Sequence, residues 1–218
     1  MSTNNIAGYI DHTVLKPTTL PADIVKLCDE ARQYGFAAVC VPPHYVSAAR
    51  EYTRDSAVAT ATVIGFPFGY SSIGAKVEEI KKALAEGVDE LDIVINLCAL
   101  KSGDWDYLSA EITACLQPIR LHRKIVKIII ESGILTDEEI IGCCDLYAKH
   151  KVDFMKTSTG YAEHGASVHA VQLMRANLPA EIQIKASGGI RTFAFAEELI
   201  EAGATRIGAS ASVAIATS

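Results

Sequence analysis

Residues 152–191 read VDFMKTSTGYAEHGASVHAVQLMRANLPAEIQIKASGGIR. A short apolar run, 152–155, leads into Lys156-Thr157-Ser158-Thr159-Gly160, and a second, 182–184, leads into Lys185-Ala186-Ser187-Gly188-Gly189-Ile190-Arg191. Between them, 166–178 has helical apolar spacing. The stretch is therefore a strand, a helix and a second strand, with both strands ending in a lysine and a glycine-containing loop. The same alternation extends outward in both directions. Strand-like runs occupy 9–10, 37–41, 58–64, 90–95, 125–130 and 206–207, and helical spacing occupies 21–34, 74–86, 136–148 and 192–201. On 21–34 the apolar face is Ile24, Leu27, Cys28 and Ala31, and on 74–86 it is Val77, Ile80, Lys81 and Leu84. Thr136 followed by Glu139 is a capping box. Gly35, Gly87 and Gly203 stand where left-handed helix stops belong. About eight strand–helix units with no linker or composition shift predict one domain over 1–218, a closed (β/α)8 barrel. The chain is short for that fold, so its loops must be tight. An open doubly wound sheet is the alternative, but no G-x-G-x-x-G follows the first strand.

Composition narrows the function. Half the residues are apolar, and 20 Lys and Arg stand against 26 Asp and Glu, a formal charge of −6. A basic surplus suited to nucleic acid is missing. The opening residues 1–5 are polar and precede no long apolar run, so no signal peptide is expected, and no stretch is long enough for a membrane helix. Cys28, Cys40, Cys98, Cys115, Cys143 and Cys144 show no C-x-x-C spacing and read as reduced core thiols of a cytoplasmic protein. The six histidines show no metal-binding spacing, so neither a metal nor a cofactor is expected.

In a barrel of this kind the chemistry sits at the C-terminal ends of the strands. Lys156 and Lys185 end adjacent strands, where equivalent side chains can approach. An amine beside a second cation in a partly dry pocket has its pKa lowered and can attack a carbonyl. Asp92, within an otherwise apolar run, completes a nucleophile, a neighbouring cation and a proton-transfer group. Each has a plainer reading. Lys156 can snorkel to solvent, and Asp92 can be a buried salt-bridge acceptor. Lys127 reads as an ordinary charge at a strand start or a secondary site residue. Cys40 and Cys98 read as packing thiols, His164 as a loop residue, and His169 as part of a solvated helix. Gly188-Gly189, and Gly208-Ala209-Ser210 opening a short helix, suggest a phosphate cradle to which Thr159-Gly160 could add. Arg191 could supply a charge there or cap the neighbouring helix.

These segments, in this order, resemble the deoxyribose-phosphate aldolase family of class I aldolases. The resemblance runs from Ile10 to about Ser212 through IDHTVLKP (10–17), GFPFG (65–69), ELDIVIN (90–96), ALKSG (99–103), KIIIE (127–131), LTDEE (135–139), FMKTSTG (154–160), KASGGIR (185–191) and RIGAS (206–210). It implies a (β/α)8 barrel that reversibly cleaves 2-deoxy-D-ribose 5-phosphate to D-glyceraldehyde 3-phosphate and acetaldehyde. Lys156 would then form the Schiff base, Lys185 would depress its pKa, and Asp92 would serve proton transfer through a water. Asp11 and Thr13 would line the sugar site, with Cys40, Lys127 and Thr159 as further substrate contacts. Gly160, Gly188, Gly189, Gly208 and Ser210 would hold the phosphate. The resemblance also implies a homodimer or tetramer, with no metal. Cys98 stands where many relatives carry glycine, Phe68 and Tyr70 are bulkier than expected, Ala211 replaces a serine, and no terminal tyrosine tail follows Ser218. A ketose-phosphate aldolase and a non-catalytic sugar-phosphate sensor are the rival readings.

Overall fold

A computed structural model describes residues 6–218; the polar stretch 1–5 lies outside the described residues. Eight parallel strands form in chain order: β1 (Ile10–Thr13), β2 (Ala38–Val41), β3 (Ala59–Ile64), β4 (Glu90–Val94), β5 (Ile125–Ile129), β6 (Phe154–Lys156), β7 (Gln183–Ser187) and β8 (Arg206–Ala209). The β8 strand pairs back onto β1, with Asp11 opposite Gly208, so the sheet closes and the open-sheet alternative is excluded. The helices are α1 (Pro21–Tyr34), α2 (Val46–Thr53), α3 (Ile73–Ala85), α4 (Leu97–Lys101), α5 (Trp105–Leu121), α6 (Asp137–Lys149), α7 (Val168–Asn177), α8 (Phe193–Glu201) and α9 (Ser212–Thr217). None is long and apolar enough to cross a membrane.

The period of two along each strand sorts residues between two environments. Outward-facing Ile10, Val39, Val41, Leu91, Ile93, Val126, Ile128, Met155, Ile184 and Ile207 pack against the helices in the main core. Their helix partners include Ile24, Leu27, Cys28 and Ala31 of α1, the face read from the sequence. Inside the barrel, Ala38, Cys40, Ala61 and Val63 form a separate small apolar cluster on β2 and β3. Much of the remaining interior is ionic: Asp11, Glu90, Asp92, Lys127, Lys156 and Lys185 are all buried there, beside the apolar Val94, Ile129 and Phe154. Side chains normally fill such a barrel in apolar layers; here charge replaces much of that filling.

Local signals set the boundaries. Thr136 and Glu139 form the expected capping box: Thr136 N–H donates to Glu139 Oε2 (2.9 Å) and Glu139 N–H to Thr136 Oγ1 (3.3 Å). Gly35, Gly87 and Gly203 follow helices at φ of 69°, 88° and 117°. Three sequence readings need correction. No helix was read over α5, because Pro118 near its C-terminal end weakens the helical signal; the helix nevertheless buries Leu108, Ile112, Cys115 and Ile119 on one face. Lys81 is exposed and pairs with Glu78, whereas Lys76 is the buried lysine of α3. Lys76 Nζ donates to Val94 O and Glu111 Oε1, both at 2.7 Å, and Glu111 Oε2 accepts from Asn96 N–H (3.1 Å). This pair secures the C-terminal end of β4 from outside the barrel. Finally, Cys98 is exposed on α4 and is not a packing thiol; the other five cysteines are buried, and all six are free.

Candidate active site

The C-terminal ends of the strands open onto a cavity of about 880 Å³. Lys156 is the last residue of β6 and lines the cavity with only 3% of its surface exposed. Register places Lys156 directly beside Lys185 on β7, and Lys185 beside Arg206 on β8. Asp92, at the centre of β4, accepts from the Nζ groups of three lysines. Its Oδ2 takes Lys156 Nζ (2.8 Å) and Lys185 Nζ (2.7 Å), and its Oδ1 takes Lys127 Nζ (2.7 Å). The structure thus brings together the three residues read as catalytic.

Lys127 is not an ordinary charge at a strand start. It is fully buried at the middle of β5, bonded to Glu90 (2.6 Å) and Asp92. Asp11 is equally buried; its Oδ2 accepts from Lys185 and its Oδ1 from Arg206 (2.6 Å). Asp11, Lys127 and Cys40 lie beneath the cavity and not on its wall, whereas Thr13 and Thr159 are on the wall. Thr13 Oγ1 donates to Asp11 O (2.9 Å), which ties the wall to the layer below.

Charge divides the two lysines. Burial in a low-dielectric interior pulls Lys156 below the ordinary lysine value; Asp92 opposes the shift and Lys185 adds to it. Burial acts on Lys185 in the same direction, but Asp11 and Asp92 overcome it and hold its pKa above the ordinary value. Burial would raise the pKa of Asp92, yet Lys127, Lys156 and Lys185 together hold it well below the carboxylate range. The arrangement therefore contains a poised amine, a permanent cation and a permanent anion in contact. Cys40, beneath them, is a thiol whose pKa burial pushes up.

Part of the cavity wall is glycine-rich. Gly160, Gly188, Gly189, Gly208 and Ser210 all line the cavity. Gly188 has φ 89°, and a Cβ there would stand 3.0 Å from Gly165 Cα and 3.4 Å from Gly160 Cα. Gly208 serves a second purpose: a Cβ there would meet Lys185 Cε at 3.0 Å, so its absence leaves room for the lysine. The amides of Gly160 and Gly189 donate to no backbone acceptor among the described residues. Exposed Lys16 and Arg191 add positive charge at the rim, while Lys26 there is paired with Glu30 (3.8 Å) and Asp23 also lines the cavity. Thr192, not Arg191, caps α8 through Thr192 Oγ1, which accepts from Phe195 N–H (3.3 Å). Such a wall, with free amides and nearby cations, suits a phosphate.

Several contributors carried no role in the sequence reading. Glu131, just after β5, is buried in the left-handed region at φ 57° and accepts from Thr159 N–H (3.1 Å) and Thr159 Oγ1. It thereby holds the loop that follows Lys156. Tyr161 OH donates to Leu15 O (2.9 Å), linking that loop to the one after β1, and its ring meets Phe66 edge-on. Glu90 and Arg206 were also unassigned. The spacing of Glu90 and Asp92 by two was the available signal, since both must then point inward. Of the residues noted as departures, Phe68 and Tyr70 are exposed and stacked on each other at 5.4 Å. His164 lies outside the helices, and His169 is exposed on α7, as expected.

Comparison with known proteins places this geometry in a lineage. Residues 6–215 match the model of the DeoC/LacD family aldolases. The chain is 49% identical over 216 residues to the deoxyribose-phosphate aldolase of Caldicellulosiruptor saccharolyticus, covering 99% of this chain and 98% of the other. It is 50% identical over 213 residues to the deoxyribose-phosphate aldolase of Thermococcus gammatolerans, covering 97% and 95% of the two chains. The deoxyribose phosphate aldolase of Aeropyrum pernix, described as having a unique tetrameric structure, superposes with a TM-score of 0.92 at 30% identity, over 99% of this chain and 91% of that one. A parallel barrel with two lysines side by side on adjacent strands and sharing one carboxylate oxygen, matched along nearly its whole length, belongs to the DeoC/LacD family of aldolases.

Proposed function

We propose that this chain is a class I aldolase that reversibly cleaves 2-deoxy-D-ribose 5-phosphate to D-glyceraldehyde 3-phosphate and acetaldehyde. The observation that carries the reading is that Lys156, on the wall of a glycine-lined cavity, shares one Asp92 oxygen with Lys185 just beneath it. Lys156, as the neutral amine, adds to the C1 aldehyde; loss of water leaves a protonated imine. Removal of the C3 hydroxyl proton then breaks the C2–C3 bond. The bonding electrons enter the imine to give a neutral enamine, and C3 leaves as the aldehyde of glyceraldehyde 3-phosphate. Protonation of the enamine at C2 and hydrolysis release acetaldehyde and restore the amine. Lys185 stays protonated and holds the nucleophile neutral. Asp92, anionic at rest between the lysines, takes the C3 hydroxyl proton through a water and returns it by the same route to C2 of the enamine. Gly160, Gly188, Gly189, Gly208 and Ser210 grip the phosphate, and Thr13 and Thr159 bound the sugar. Asp11, Lys127 and Cys40 act from beneath.

The reading takes the whole chain as one catalytic domain, cytoplasmic, and assembled as a homodimer or homotetramer; the tetrameric Aeropyrum relative supports the latter. The test is borohydride reduction in the presence of acetaldehyde, followed by peptide mass mapping. A two-carbon adduct on Lys156 is expected, and an adduct on Lys185 instead would exchange the two roles. Use of dihydroxyacetone phosphate in place of acetaldehyde as the nucleophile would favour a ketose-phosphate aldolase. Absence of any adduct in folded protein that binds the sugar phosphate would favour a sensor.

A further inference from the structure

The ionic interior extends beyond the groups that imine chemistry uses. Lys127, Lys185 and Arg206 each touch two carboxylates closely: Lys127 reaches Glu90 (2.6 Å) and Asp92 (2.7 Å), and Lys185 reaches Asp11 and Asp92 (2.7 Å). Arg206 reaches Asp11 (2.6 Å) and Glu90 (3.1 Å). Lys156 touches only Asp92 Oδ2, an atom it shares with Lys185. Three carboxylates thus balance three cations, and a protonated Lys156 is a fourth cation with no carboxylate of its own. An uncompensated charge in a buried array is the one most readily neutralised. Glu90 and Arg206 open β4 and β8 at the end of the barrel away from the cavity, do not line it, and Arg206 lies over the Phe154 ring at 5.5 Å.

We propose that Glu90 and Arg206 are positioning residues for the reaction: from the far end of the barrel they fix the charge balance that leaves Lys156 as the neutral amine. The other charged or titratable groups around Lys156 are Asp92 from β4, Lys127 from β5, Lys185 from β7, Cys40 from β2 and Asp11 from β1. Glu131, just after β5, also feels the charge of Lys156, but it is engaged by Thr159 and makes no ion pair with Lys156. The inference rests on Lys156 being the nucleophile.

Opposite signs distinguish this role from packing. Glu90→Gln removes a negative charge and lowers the pKa of Lys156; Arg206→Gln removes a positive charge and raises it. A unit charge roughly 10 Å away at an effective dielectric of about 20 gives shifts of about one pH unit each way. The double variant restores the balance and returns the profile toward that of the parent. The experiment is kcat/KM against pH for the parent, both single variants and the double variant, with acetaldehyde and borohydride trapping on each. Movement of the acidic limb down for Glu90→Gln, up for Arg206→Gln and back for the pair is the expected result. Limbs that stay in place or move together, with Lys156 still trapped, would overturn the role of Glu90 and Arg206 while leaving the imine intact. No trapping on Lys156 in the parent would instead overturn the reading beneath it. If a single variant fails to fold, lysine 13Cε NMR titration of the parent decides the charge assignment. Lys156 is expected to lose its proton first, and loss from Lys127 or Lys185 ahead of it would refute the balance.

Discussion

Replacing Lys185 by leucine tests the electrostatic reasoning most directly. Lys156 and Lys185 donate to the same Asp92 oxygen at 2.8 and 2.7 Å. From those two bonds, the nitrogens stand roughly 4–5 Å apart, where two unit charges at an effective dielectric of about 20 repel by about 3–4 kcal/mol. That energy is equivalent to roughly 2.5 pH units in the ionisation of Lys156. Loss of Lys185 also frees Asp11 and Asp92 from a cation, which acts in the same direction. The sign follows. The variant raises the pKa of Lys156, so less neutral amine is present near neutrality and the acidic limb of kcat/KM moves toward alkaline pH. A shift of about two units would lower kcat/KM by roughly 100-fold on the acidic limb, with activity recovering as pH rises. The assay follows glyceraldehyde 3-phosphate release across the pH range, with circular dichroism to establish folding. An acidic limb within about half a unit of the parent, in folded protein, would refute the claim that Lys185 holds Lys156 neutral.

Other expectations concern different parts of the molecule. Lys156→Leu should abolish turnover and borohydride trapping while binding of inorganic phosphate, measured calorimetrically, persists; residual full activity would sink the imine assignment. Gly188→Ala places a side chain in a left-handed position 3.0 Å from Gly165 Cα. It should cost about 1–3 kcal/mol of stability and raise KM for the phosphorylated sugar more than for deoxyribose, and an equal effect on both substrates would argue against a phosphate role for that wall. Lys76→Met leaves Glu111 buried without its cation. Chemical denaturation should show a loss of about 3–5 kcal/mol, and an unchanged midpoint would mean that the pair contributes nothing to the end of β4.

The sequence made the alternation and the strand ends readable because both are local. Period-two runs, a capping box and glycine stops each act within a few residues, and together they specified the barrel. Lys156 and Lys185 were readable for a related reason: each follows a short apolar run, and consecutive strands in such a barrel are neighbours; β7 in fact runs on to Ser187, so Lys185 lies at its centre while Lys156 ends β6. Asp92 stood out as a carboxylate in an apolar run. For Lys127 the strand-start alternative fails while the site alternative stands; its burial was hidden because its neighbours in sequence, Val126 and Ile128, look like those of any outer strand residue, while its partners Glu90 and Asp92 lie more than 30 positions away. Arg206 and Glu90 are separated by 116 residues, and their contact exists only once β8 has closed onto β1. Lys76 was missed because helical periodicity alone placed Lys81 on the apolar face; the buried position is decided by Glu111 on α5, a helix whose proline obscured it.

The distribution of charge inside the barrel has a consequence for how the chain can be divided. All three interior carboxylates, Asp11, Glu90 and Asp92, come from β1 and β4, in the first half of the barrel, and all four cations, Lys127, Lys156, Lys185 and Arg206, come from β5 to β8. Neither half on its own could close over its interior without burying charge of a single sign. The two halves are complementary surfaces, and each supplies the counter-ions that allow the other to lose its water. Closure of the ring is therefore a single cooperative event in which folding and neutralisation coincide, and two separately made half-barrels would be expected to find one another in solution before either acquired a core.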